Sequence, residues 1–545
     1  MLYNMTFIEK FEENVRLFPD KVILQDSETQ LTFRELDELS GRVYAYLKQK
    51  GIGREDFVMI FLPRGVKCYE AMLGVWKAGA AFVLFEDDIP IERVKYVYKD
   101  CSCRLTIDNN LWENIMHTCS LRGYEPTDPH DAAFALYTSG STGRPKGVLH
   151  EYGKMELITD AIRMDGEIFF QKDDIYGHPL PLYTTGAFVL MLASLQEATF
   201  THILSYETVM SPALLEDYVQ REHITITGLV PSLVNKIGTT ASSLRTFITG
   251  GGTVQNFYLE DCPVLVFYGQ TETAMTPHTF TIDKPYSSTP IGKDPHGCKA
   301  YILDEDDRIV DENEAGELCY TYEYTRGYIN DPELTSQVYR NGLCHTGDVV
   351  RANEDGNYVI LGRKTDMIKI NGNRIEPAEI EAAAKRVLGI DWAFAKGFVQ
   401  PERSFICVYY TADIEIDYAR TREELLKILP SYMIPSYFIH IDSIPRLPNG
   451  KVDRQAFLAP ATEDYIAEYA APTNELEGRL CEAMQEVLGM ERIGIHDDFY
   501  LLGGDSLRTI RLVSELNIQD IMVPDIYAAR TPAAIAERWL TKQME

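Results

Sequence analysis

The chain has 545 residues, which are too many for one hydrophobic core and predict two to four domains. Its 52 basic and 82 acidic side chains give a formal charge of −30, which argues against nonspecific binding to nucleic acid or to an anionic membrane. The start has no signal-peptide pattern and no apolar run approaches about 18 residues, so we expect a cytoplasmic protein without a membrane span, its 10 scattered cysteines reduced.

The first 290 residues alternate between helical and strand-like patterns. A second helix is predicted to follow Leu31, to run through Leu47 and to stop at Gly51. The alternation predicts a parallel α/β sheet with ligand sites at the strand ends. The first helix is predicted to bury one face, formed by Phe7, Phe11, Val15 and Phe18.

A polar stretch follows the apolar, strand-like run 132–137. From Thr138 to Gly147 it holds four hydroxyl side chains, three glycines and Lys146. Glycines let backbone N–H groups close on an anion, hydroxyls donate to phosphate oxygens, and a lysine supplies positive charge. The composition predicts a phosphate cradle, although a flexible surface turn is an equally good interpretation. The spacing is not that of a Walker A loop, because Gly147 follows the lysine.

The string YTSGSTGRPKGV resembles the phosphate-binding loop of adenylate-forming enzymes. That superfamily includes acyl- and aryl-CoA synthetases, luciferases and the adenylation domains of nonribosomal peptide synthetases. The resemblance implies that the loop holds the β- and γ-phosphates of ATP, with Lys146 in a catalytic role and Thr142 near Mg²⁺. The loop residues it assigns to nucleotide binding are Thr138, Ser139, Gly140, Ser141, Thr142, Gly143 and Lys146.

Two later strand ends carry further parts of the same pattern. The turn after strand-like residues 264–267 ends in Glu272, which on its own would be read as a solvated carboxylate. By resemblance, Tyr268 stacks on adenine and Glu272 is catalytic and helps to hold Mg²⁺. Gln270 stands where amino-acid-activating domains more often have proline, and glutamine is more typical of aryl and acyl ligases. The other expected nucleotide-binding residues here are Gly250, Gly251, Gly252, Phe267, Gly269 and Thr271.

Residues 297–362 contain short β-like runs that predict a small barrel. Within them, the strings 316–318 and 326–328 resemble family landmarks without an assigned role. Asp348 alone would be interpreted as a turn aspartate bonded to its own backbone. By resemblance, Asp348 accepts the ribose hydroxyls and Arg363 contacts the ribose. A charged, turn-rich stretch follows, and by resemblance Asp366 is the hinge of a small C-terminal subdomain.

A tight-turn signal, Asn449-Gly450, presents Lys451 at a loop tip. An exposed lysine is usually only solvated. By resemblance, this lysine enters the active site, binds the substrate carboxylate and the α-phosphate, and stabilises the adenylation transition state.

The last 70 residues carry a different pattern. Apolar residues at helical spacing and the string DDFYLLGGDSL resemble the attachment site of a peptidyl carrier domain. The resemblance implies that Ser506 carries 4′-phosphopantetheine, although Ser506 or Asp505 is also well suited to cap a helix. Nearby acidic residues would suit a basic phosphopantetheinyl transferase. The predicted inward positions are Leu476, Leu480, Met484 and Leu488, then Leu507, Ile510, Val513 and Leu516.

The predicted fold class is therefore α/β. Residues 1–365 are expected to form a large adenylate-forming domain of parallel sheets with helices plus a small barrel, and residues 366–460 a small α+β subdomain. A linker at 461–473 leads to an all-α, four-helix carrier domain at 474–545.

A count along the family pattern without gaps predicts which residues line the pocket for the acid. Where amino-acid-activating relatives have an aspartate for the α-ammonium, this chain has Thr184 next to Tyr183, and no acid lies between Leu180 and Gln196. Gly228 and Gly250 are small enough to admit a flat ring. We therefore expect an acid without an α-amino group, such as an aryl or hydroxy acid. The expected pocket residues are Tyr183, Thr184, Thr185, Phe188, Gly228, Ile248, Gly250, Phe267, Met275 and Thr276.

The resulting hypothesis is a stand-alone adenylation–carrier didomain that uses ATP and Mg²⁺ to load a small carboxylic acid onto its own carrier. The expected partners are a phosphopantetheinyl transferase and a downstream condensation, ketosynthase or tailoring enzyme acting in trans. The alternatives are an amino-acid-activating didomain with an unusual pocket, an acyl- or aryl-CoA ligase with a vestigial carrier tail, and a non-catalytic carrier or scaffold.

Overall fold

The structure is a computed structural model of the chain. Within the residues it describes, no helix combines the length and the apolar character that crossing a bilayer requires. Those residues are 5–86, 89–138, 144–161, 163–164, 167–171, 173–229, 243–251, 254, 257–272, 278–286, 288–294, 299–311, 314–364, 368–370, 373–399, 404–414, 416–445, 452, 454, 456–460, 469–490, 492–504, 506–516, 518 and 521–544.

The chain divides into two compact units, the first formed by Met1–Thr138 with Pro145–Asp366 and the second including Met367–Glu545. In the first unit the helices are α1 (Phe7–Leu17), α2 (Phe33–Gln49), α3 (Val66–Lys77), α4 (Ile91–Asp100), α5 (Asn109–Met116), α6 (Gly153–Ala161), α7 (Thr185–Gln196), α8 (Tyr206–Met210), α9 (Pro212–Arg221) and α10 (Pro332–Val338). The strands are β1 (Val22–Gln25), β2 (Gln30–Thr32), β3 (Phe57–Phe61), β4 (Ala81–Phe85), β5 (Leu105–Ile107), β6 (Ala132–Thr138), β7 (Lys146–Glu151), β8 (Arg163–Met164), β9 (Glu167–Ile168), β10 (Ile175–His178), β11 (Phe200–Ile203), β12 (Ile226–Leu229), β13 (Thr246–Gly250), β14 (Val264–Tyr268), β15 (His278–Ile282), β16 (Ala300–Leu303), β17 (Gly316–Thr321), β18 (Thr325–Tyr328), β19 (Tyr339–Arg340), β20 (Leu343–Ala352) and β21 (Tyr358–Arg363).

The predicted parallel sheets are confirmed. One sheet has the described strand order β15-β14-β13-β12-β10-β11-β1-β2, and its inner pairs are parallel. A second sheet has the order β18-β7-β6-β4-β3-β5, with parallel pairs from β6 to β5 and antiparallel pairs from β6 to β18. Helices connect the parallel strands, so the carboxyl ends of those strands meet at one edge of each sheet.

The first two helices begin at complete capping boxes. Thr6 and Glu9 cap α1, and Thr32 and Glu35 cap α2, each pair satisfying two backbone N–H groups that lack helical partners. Phe7 and Phe11 are buried as predicted. Phe18 is 46% exposed, and its placement on the core face was wrong, because α1 ends at Leu17 and Phe18 leaves the helical path as the C-cap.

A core of aromatic and aliphatic side chains joins α3 and α7 to the second sheet. The rings of Phe134 and Phe188 have centroids 4.3 Å apart, and Trp76 and Phe82 pack around them. Helix α3 approaches α2 closely at Gly74, where a Cβ atom would overlap Val43 and lie 2.7 Å from the carbonyl oxygen of Ser40. The absence of a side chain at this position therefore sets the separation of the two helices.

A five-stranded antiparallel sheet is formed by β16, β17, β19, β20 and β21. In it, β17, β19 and β21 all pair with β20. No pairing among the described strands joins β16 to β19 or β21. The described ladder is therefore open, and it differs from the small barrel that the sequence predicted, because β20 holds several partners instead of passing the ladder around to β16.

The second unit contains a small α+β part and a helical part. The former has β22 (Ile368–Ile370), β23 (Asn373–Ile375), α11 (Pro377–Leu388), β24 (Ala393–Val399), β25 (Ser404–Tyr410), α12 (Tyr418–Leu426), a 3₁₀ turn (Ser431–Met433) and β26 (Tyr437–His440). The latter has α13 (Glu475–Leu488), α14 (Ser506–Leu516), α15 (Val523–Ala529) and α16 (Pro532–Met544).

The helical part has the four helices predicted for it, counted over the described residues. Leu480, Met484 and Leu516 are buried in its core, and the partly buried side chains of Leu476 and Leu488 pack against that core as expected. Val513 packs there too, whereas the side chains of Leu507 and Ile510 lie outside the described residues.

We expect Gly74→Ala to destabilise the first unit by about 1–3 kcal/mol, because the added methyl group must push α2 and α3 apart. Gly186→Ala is the matched control, since a Cβ there would meet only the Leu180 Cδ1 atom, at 3.6 Å. Thermal unfolding followed by circular dichroism measures both. A Gly74→Ala midpoint equal to that of the parent would contradict the close approach of the helices.

Candidate active site

The predicted phosphate loop lies between β6 and β7. Thr138 ends β6, Lys146 begins β7, and the two residues are paired in the antiparallel ladder. The first and last residues that flank the loop are therefore neighbours. The Thr138 hydroxyl is buried and makes no hydrogen bond with any residue that the structure describes. That oxygen is therefore a candidate ligand-binding atom, and the phosphate-binding role of Thr138 stays a prediction.

Glu272 is 2% exposed, so the interpretation as a solvated turn carboxylate was wrong. Tyr328 Oη donates a hydrogen bond to Glu272 Oε1 at 2.6 Å, and Tyr339 Oη donates to the Glu272 carbonyl oxygen at 2.8 Å. The Lys146 Nζ atom lies 5.3 Å from the centroid of the same Tyr328 ring. One tyrosine therefore lies between the lysine of one sequence motif and the carboxylate of another, 126 residues further on.

Tyr328 was part of a landmark string but had no predicted role. It lies at the end of β18, which pairs with β7 in the second sheet, whereas Glu272 follows β14 of the first sheet. The tyrosine therefore connects the strand ends of the two sheets. A glutamate three residues after a glycine, with a tyrosine elsewhere in a glycine-containing strand, is too common a pattern to predict this pair.

Asp348 is also 2% exposed, and its carboxylate accepts hydrogen bonds from three side chains. Tyr268 Oη donates to Asp348 Oδ2 at 2.5 Å, Gln270 Nε2 donates to the same oxygen, and Arg363 Nη2 donates to it at 3.0 Å. Asp348 and Arg363 are directly paired on β20 and β21. The turn-aspartate interpretation was therefore wrong, because the side chain bonds to distant residues.

Tyr268 and Gln270 both act on this carboxylate. Burial, and then the neighbouring Asp348 carboxylate, hold the pKa of Tyr268 well above its ordinary value, so its hydroxyl remains a donor. The Gln270 amide also donates to Tyr268 Oη at 3.2 Å. The sequence identified Gln270 only as a departure from proline, and proline could not supply this side-chain donor.

A second buried carboxylate supports the bulged part of β20, which contains Gly347 and carries Asp348. Glu317 Oε1 accepts a hydrogen bond from the Gly347 N–H at 2.8 Å, and its Oε2 atom lies 3.0 Å from Lys364 Nζ and 3.1 Å from His345 Nδ1. Gly347 has a φ of +73°, which only glycine adopts readily. Burial raises the pKa of Glu317, but hydrogen bonds from His345, Lys364 and Gly347 outweigh it and lower that pKa to about 2.

Glu317, Cys319 and His345 place their ligand atoms within 4.8 Å of one another, as a metal site would. However, the Lys364 ammonium lies on the same glutamate oxygen that faces the histidine. A metal ion would have to displace that positive charge. We therefore interpret Glu317, Cys319 and His345 as residues that support the backbone of β20 at Gly347.

The expected substrate-pocket residues do not all face an open space. The Thr184 hydroxyl donates a hydrogen bond to the Pro181 carbonyl oxygen at 2.8 Å, and the Thr185 and Thr271 hydroxyls are 2.7 Å apart. Phe188 is 1% exposed within the aromatic core. Both threonines near the start of α7 are therefore already hydrogen-bonded, and neither carries a charge.

Strand packing in the first sheet requires glycine at two positions of the expected pocket. Gly228 pairs with Ile248, and Gly250 pairs with Phe267, in the first sheet. A Cβ atom at either glycine would clash with the carbonyl oxygen of its partner. Strand packing therefore excludes a side chain at both positions, and the expectation that they admit a flat ring stays a prediction.

Ile248 is 6% exposed, whereas Phe267 and Tyr183 are partly buried, with their rings against Phe169 and Phe85. Gly251 follows β13 with a φ of +79°, and Gly269 follows β14. The remaining predicted residues lie outside the described ones, and they stay predictions: Ser139, Gly140, Ser141, Thr142, Gly143, Gly252, Met275, Thr276, Asp366 and Lys451. Helix α14 begins at Ser506, whose side chain is likewise not described.

Comparison with known families gives two matches. The model of the AMP-binding enzyme family matches residues 11–329, and that of the phosphopantetheine attachment site matches residues 478–539. The first match covers more than half of the chain and contains the site around Glu272.

Two similar curated proteins are peptide synthases. Bacitracin synthase 1 of Bacillus licheniformis is 33% identical over 550 residues, which are 93% of this chain and 10% of that protein. Gramicidin S synthase 1 of Brevibacillus brevis is 30% identical over 554 residues, which are 94% of this chain and 50% of that protein. The chain thus spans half or less of the length of these relatives.

Two solved structures share the fold. A holo NRPS protein containing adenylation and PCP domains has a TM-score of 0.78 at 19% identity, covering 98% of this chain and 96% of that one. The o-succinylbenzoate CoA synthetase from Bacillus subtilis has a TM-score of 0.73 at 21% identity, covering 82% of this chain and 97% of that one.

We expect Glu317→Gln to destabilise the first unit at pH 7 by about 1.5–3 kcal/mol, because the substitution removes a charged hydrogen-bond acceptor. The pKa of Glu317 is about 2 in the folded chain and 4.5 for an ordinary glutamate, so its stabilising contribution is complete above pH 4.5. As the pH falls from 4.5 toward 2, that contribution is lost and the variant and the parent should converge.

Thermal midpoints measured at pH 7 and at intervals from pH 4.5 down to about pH 2 test this dependence. Glu314→Gln, which removes the same charge from an exposed side chain three residues earlier, is the control. A midpoint difference for Glu317→Gln that stayed constant or grew on acidification would show that the carboxylate network is wrong.

Proposed function

Because the chain belongs to the AMP-binding enzyme family and carries a phosphopantetheine attachment domain behind it, we propose that it activates a carboxylic acid with ATP and loads the acyl group onto its own carrier domain. In the first step, a carboxylate oxygen of the acid bonds to the α-phosphorus of ATP while the α–β phosphoanhydride bond breaks. Acyl-AMP forms and pyrophosphate leaves. In the second step, a thiol attached at Ser506 attacks the acyl carbon, and AMP leaves as the thioester forms.

The observation that carries this proposal is the arrangement of Lys146, Tyr328 and Glu272. A lysine at the base of a glycine-rich loop can neutralise the β- and γ-phosphates as charge moves onto the leaving pyrophosphate. Tyr328 fixes one oxygen of the Glu272 carboxylate and lies beside the lysine, so the cationic and anionic groups have a set separation.

A magnesium ion fits the donors at this site. Glu272 offers a buried carboxylate, and the motif at 138–147 adds the Thr142 hydroxyl as a second hard oxygen donor in the sequence. When bound, Mg²⁺ would neutralise phosphate charge. Tyr328 would serve by holding the carboxylate in one orientation, since a ligand that must reorient costs binding free energy.

Asp348 is the proposed ribose-binding residue. Its Oδ2 atom already accepts hydrogen bonds from Tyr268, Gln270 and Arg363, which orient the carboxylate. Ribose hydroxyls would have to share this acceptor or displace one of the donors. A ligand that breaks hydrogen bonds of this buried network must therefore form at least as many new ones, or binding loses free energy.

The proposed substrate is an aryl, hydroxy or other acid without an α-amino group. The hydroxyls of Thr184 and Thr185 are engaged, and no acidic side chain occurs from Leu180 to Gln196. A buried ammonium ion in this segment would lack the carboxylate that burial of a charge requires.

One observation favours an amino acid instead. Glu86 is 6% exposed, and its Oε1 atom accepts a hydrogen bond from the Leu182 N–H at 2.7 Å. This places a buried carboxylate against the segment that precedes Thr184. An α-ammonium group could pair with Glu86 in an unusual pocket, so amino acids belong in any substrate test.

The proposed partners follow from the carrier domain. A phosphopantetheinyl transferase would attach the prosthetic group, and a condensation, ketosynthase or tailoring enzyme would receive the acyl group. The dependence of the reaction on ATP supports the cytoplasmic location predicted from the sequence.

We expect Lys451→Ala to reduce carboxylate-dependent exchange of radiolabelled pyrophosphate into ATP by about 100-fold or more, because a charge aimed at the α-phosphate is removed. Lys427→Ala removes the same charge from the same subdomain at a side chain that is 64% exposed, and it should leave the exchange rate unchanged. Unchanged exchange in the Lys451→Ala protein would contradict the assignment.

We expect Ser506→Ala to retain pyrophosphate exchange but to gain neither phosphopantetheine nor an acyl group, measured by intact-protein mass spectrometry. Ser514→Ala, at an exposed serine on the same helix, should load normally. The assay uses a panel of amino, aryl, hydroxy and short aliphatic acids.

The panel separates the alternatives. Release of free CoA thioester without modification at Ser506 would identify a CoA ligase with a vestigial tail. No exchange with any acid would identify a non-catalytic carrier or scaffold. Exchange with amino acids alone would favour the unusual pocket near Glu86.

A further inference from the structure

The four-helix carrier part contacts the small α+β part of the same unit just before the attachment helix α14. Tyr437 on β26 donates a hydrogen bond from its Oη atom to the Leu501 carbonyl oxygen at 2.8 Å. Tyr437 is fully buried. This bond joins the edge strand of the small sheet to the backbone of the carrier, five residues before Ser506.

A cation covers the neighbouring aromatic ring. The Arg422 guanidinium carbon, from α12 of the α+β part, lies 4.1 Å from the centroid of the Tyr500 ring. Arg422 is 6% exposed, and a cation over an aromatic face contributes most when water is excluded. The Tyr500 hydroxyl is hydrogen-bonded to Thr509 Oγ1 at 2.7 Å, so the carrier core holds the ring that Arg422 contacts.

The Leu501 side chain completes the contact. It packs against an apolar cluster on the small sheet, which is formed by Phe394, Phe405, Cys407, Tyr409, Tyr437 and Phe457. Apolar burial, one backbone hydrogen bond and one cation–π pair thus act on two consecutive carrier residues.

Hydrogen bonds within the carrier part fix the segment that makes this contact. Asp498 Oδ1 accepts hydrogen bonds from the Tyr500 and Leu501 N–H groups at 2.9 and 3.1 Å and from Arg530 Nη2 at 3.0 Å. The Gly504 N–H donates to the Phe499 carbonyl oxygen at 2.7 Å. Tyr500 and Leu501 therefore present one fixed surface to any protein that docks beside Ser506.

An enzyme that modifies Ser506 needs that surface. A specific protein contact covers about 800 Å² per partner, which is a disc with a radius of about 16 Å. Leu501 lies well within roughly 18 Å of Ser506, because five residues of extended chain span that distance and this segment is folded into a turn closed by the Gly504–Phe499 hydrogen bond. A docking footprint centred on Ser506 therefore reaches the segment that the α+β part covers.

We propose that Tyr437, Arg422 and the apolar cluster form a latch that screens the attachment site, so that the carrier is primed only when this contact has opened. The inference rests on the proposed function, since it takes Ser506 as the attachment residue. In priming, the Ser506 oxygen bonds to the phosphorus of coenzyme A that bears the pantetheine, the pyrophosphate bond breaks, adenosine 3′,5′-bisphosphate leaves, and the serine proton passes to the transferase.

The test compares the rate of priming in four full-length variants with that of the parent. Tyr437→Phe deletes only the hydroxyl that reaches Leu501, and Tyr409→Phe, its control, deletes a hydroxyl of the same cluster that donates to Leu458 at 2.6 Å within the α+β part. Arg422→Ala removes the cation, and Arg420→Ala, its control, removes an exposed arginine from the same helix.

With limiting phosphopantetheinyl transferase and saturating coenzyme A, we expect Tyr437→Phe and Arg422→Ala to be primed about threefold to tenfold faster than the parent. Losing one net hydrogen bond shifts the docked–undocked equilibrium by about that factor, and the transferase acts on the open fraction. The two control variants should match the parent. Hydrogen exchange at the amides of residues 499–504 should accelerate in the same two variants.

Equal priming rates and equal hydrogen exchange in all five proteins would overturn the latch while leaving the proposed function intact, because pyrophosphate exchange does not depend on Ser506. Faster hydrogen exchange without faster priming would show a contact that does not screen the serine, which also overturns the proposal. If no protein gains phosphopantetheine, the proposed function fails at Ser506 and the latch fails with it.

Discussion

Two carboxylates, Glu272 and Asp348, are each withdrawn from water to 2% exposure, and the geometry of the first unit depends on satisfying them. A buried polar group without hydrogen-bond partners costs several kcal/mol, of the order of the whole stability of many domains. Tyr328 supplies a donor to Glu272, while Tyr268, Gln270 and Arg363 supply donors to Asp348. The site is therefore an arrangement that folding requires before any ligand arrives.

The residues that make these hydrogen bonds come from separate sheets, so the geometry of the site depends on the fold. β14 of the first sheet carries Tyr268, β18 of the second carries Tyr328, and β20 and β21 of the antiparallel sheet carry Asp348 and Arg363. Each strand is placed by its own ladder of backbone bonds, so side chains at their ends are held with little freedom. Rigid placement of this kind is what charge stabilisation during phosphoryl transfer needs.

The proposed latch addresses a conflict that arises within the second unit. A carrier must be held while it is loaded and released for other enzymes, and these needs conflict when all partners use the surface around one serine. In the proposed latch, one hydrogen bond, one cation–π pair and one leucine would favour docking and still allow the contact to open. The position of Tyr500 and Leu501 beside the attachment helix makes the contact relevant to every partner of the carrier.

The sequence by itself determined the alternation of helices and strands, the parallel sheets, the helical carrier part and the motifs around Lys146, Glu272 and Asp348. Such features depend on hydrophobic periodicity and turn residues, which are local in the chain. Predictions from the sequence were wrong where the tertiary environment of a residue decides whether it is buried. Phe18 follows the helical period but lies beyond the helix end, and Glu272 and Asp348 look like solvated or turn carboxylates but are buried.

Only the tertiary structure decided the partners of the buried carboxylates. Tyr328 lies 56 residues from Glu272, Tyr268 lies 80 residues from Asp348, and Gln270 lies 78 residues from it. Strand pairing brings these residues together, and no local pattern encodes a pairing between distant strands. The same holds for Tyr437 and Leu501, 64 residues apart, whose bond exists only because two folded parts meet there.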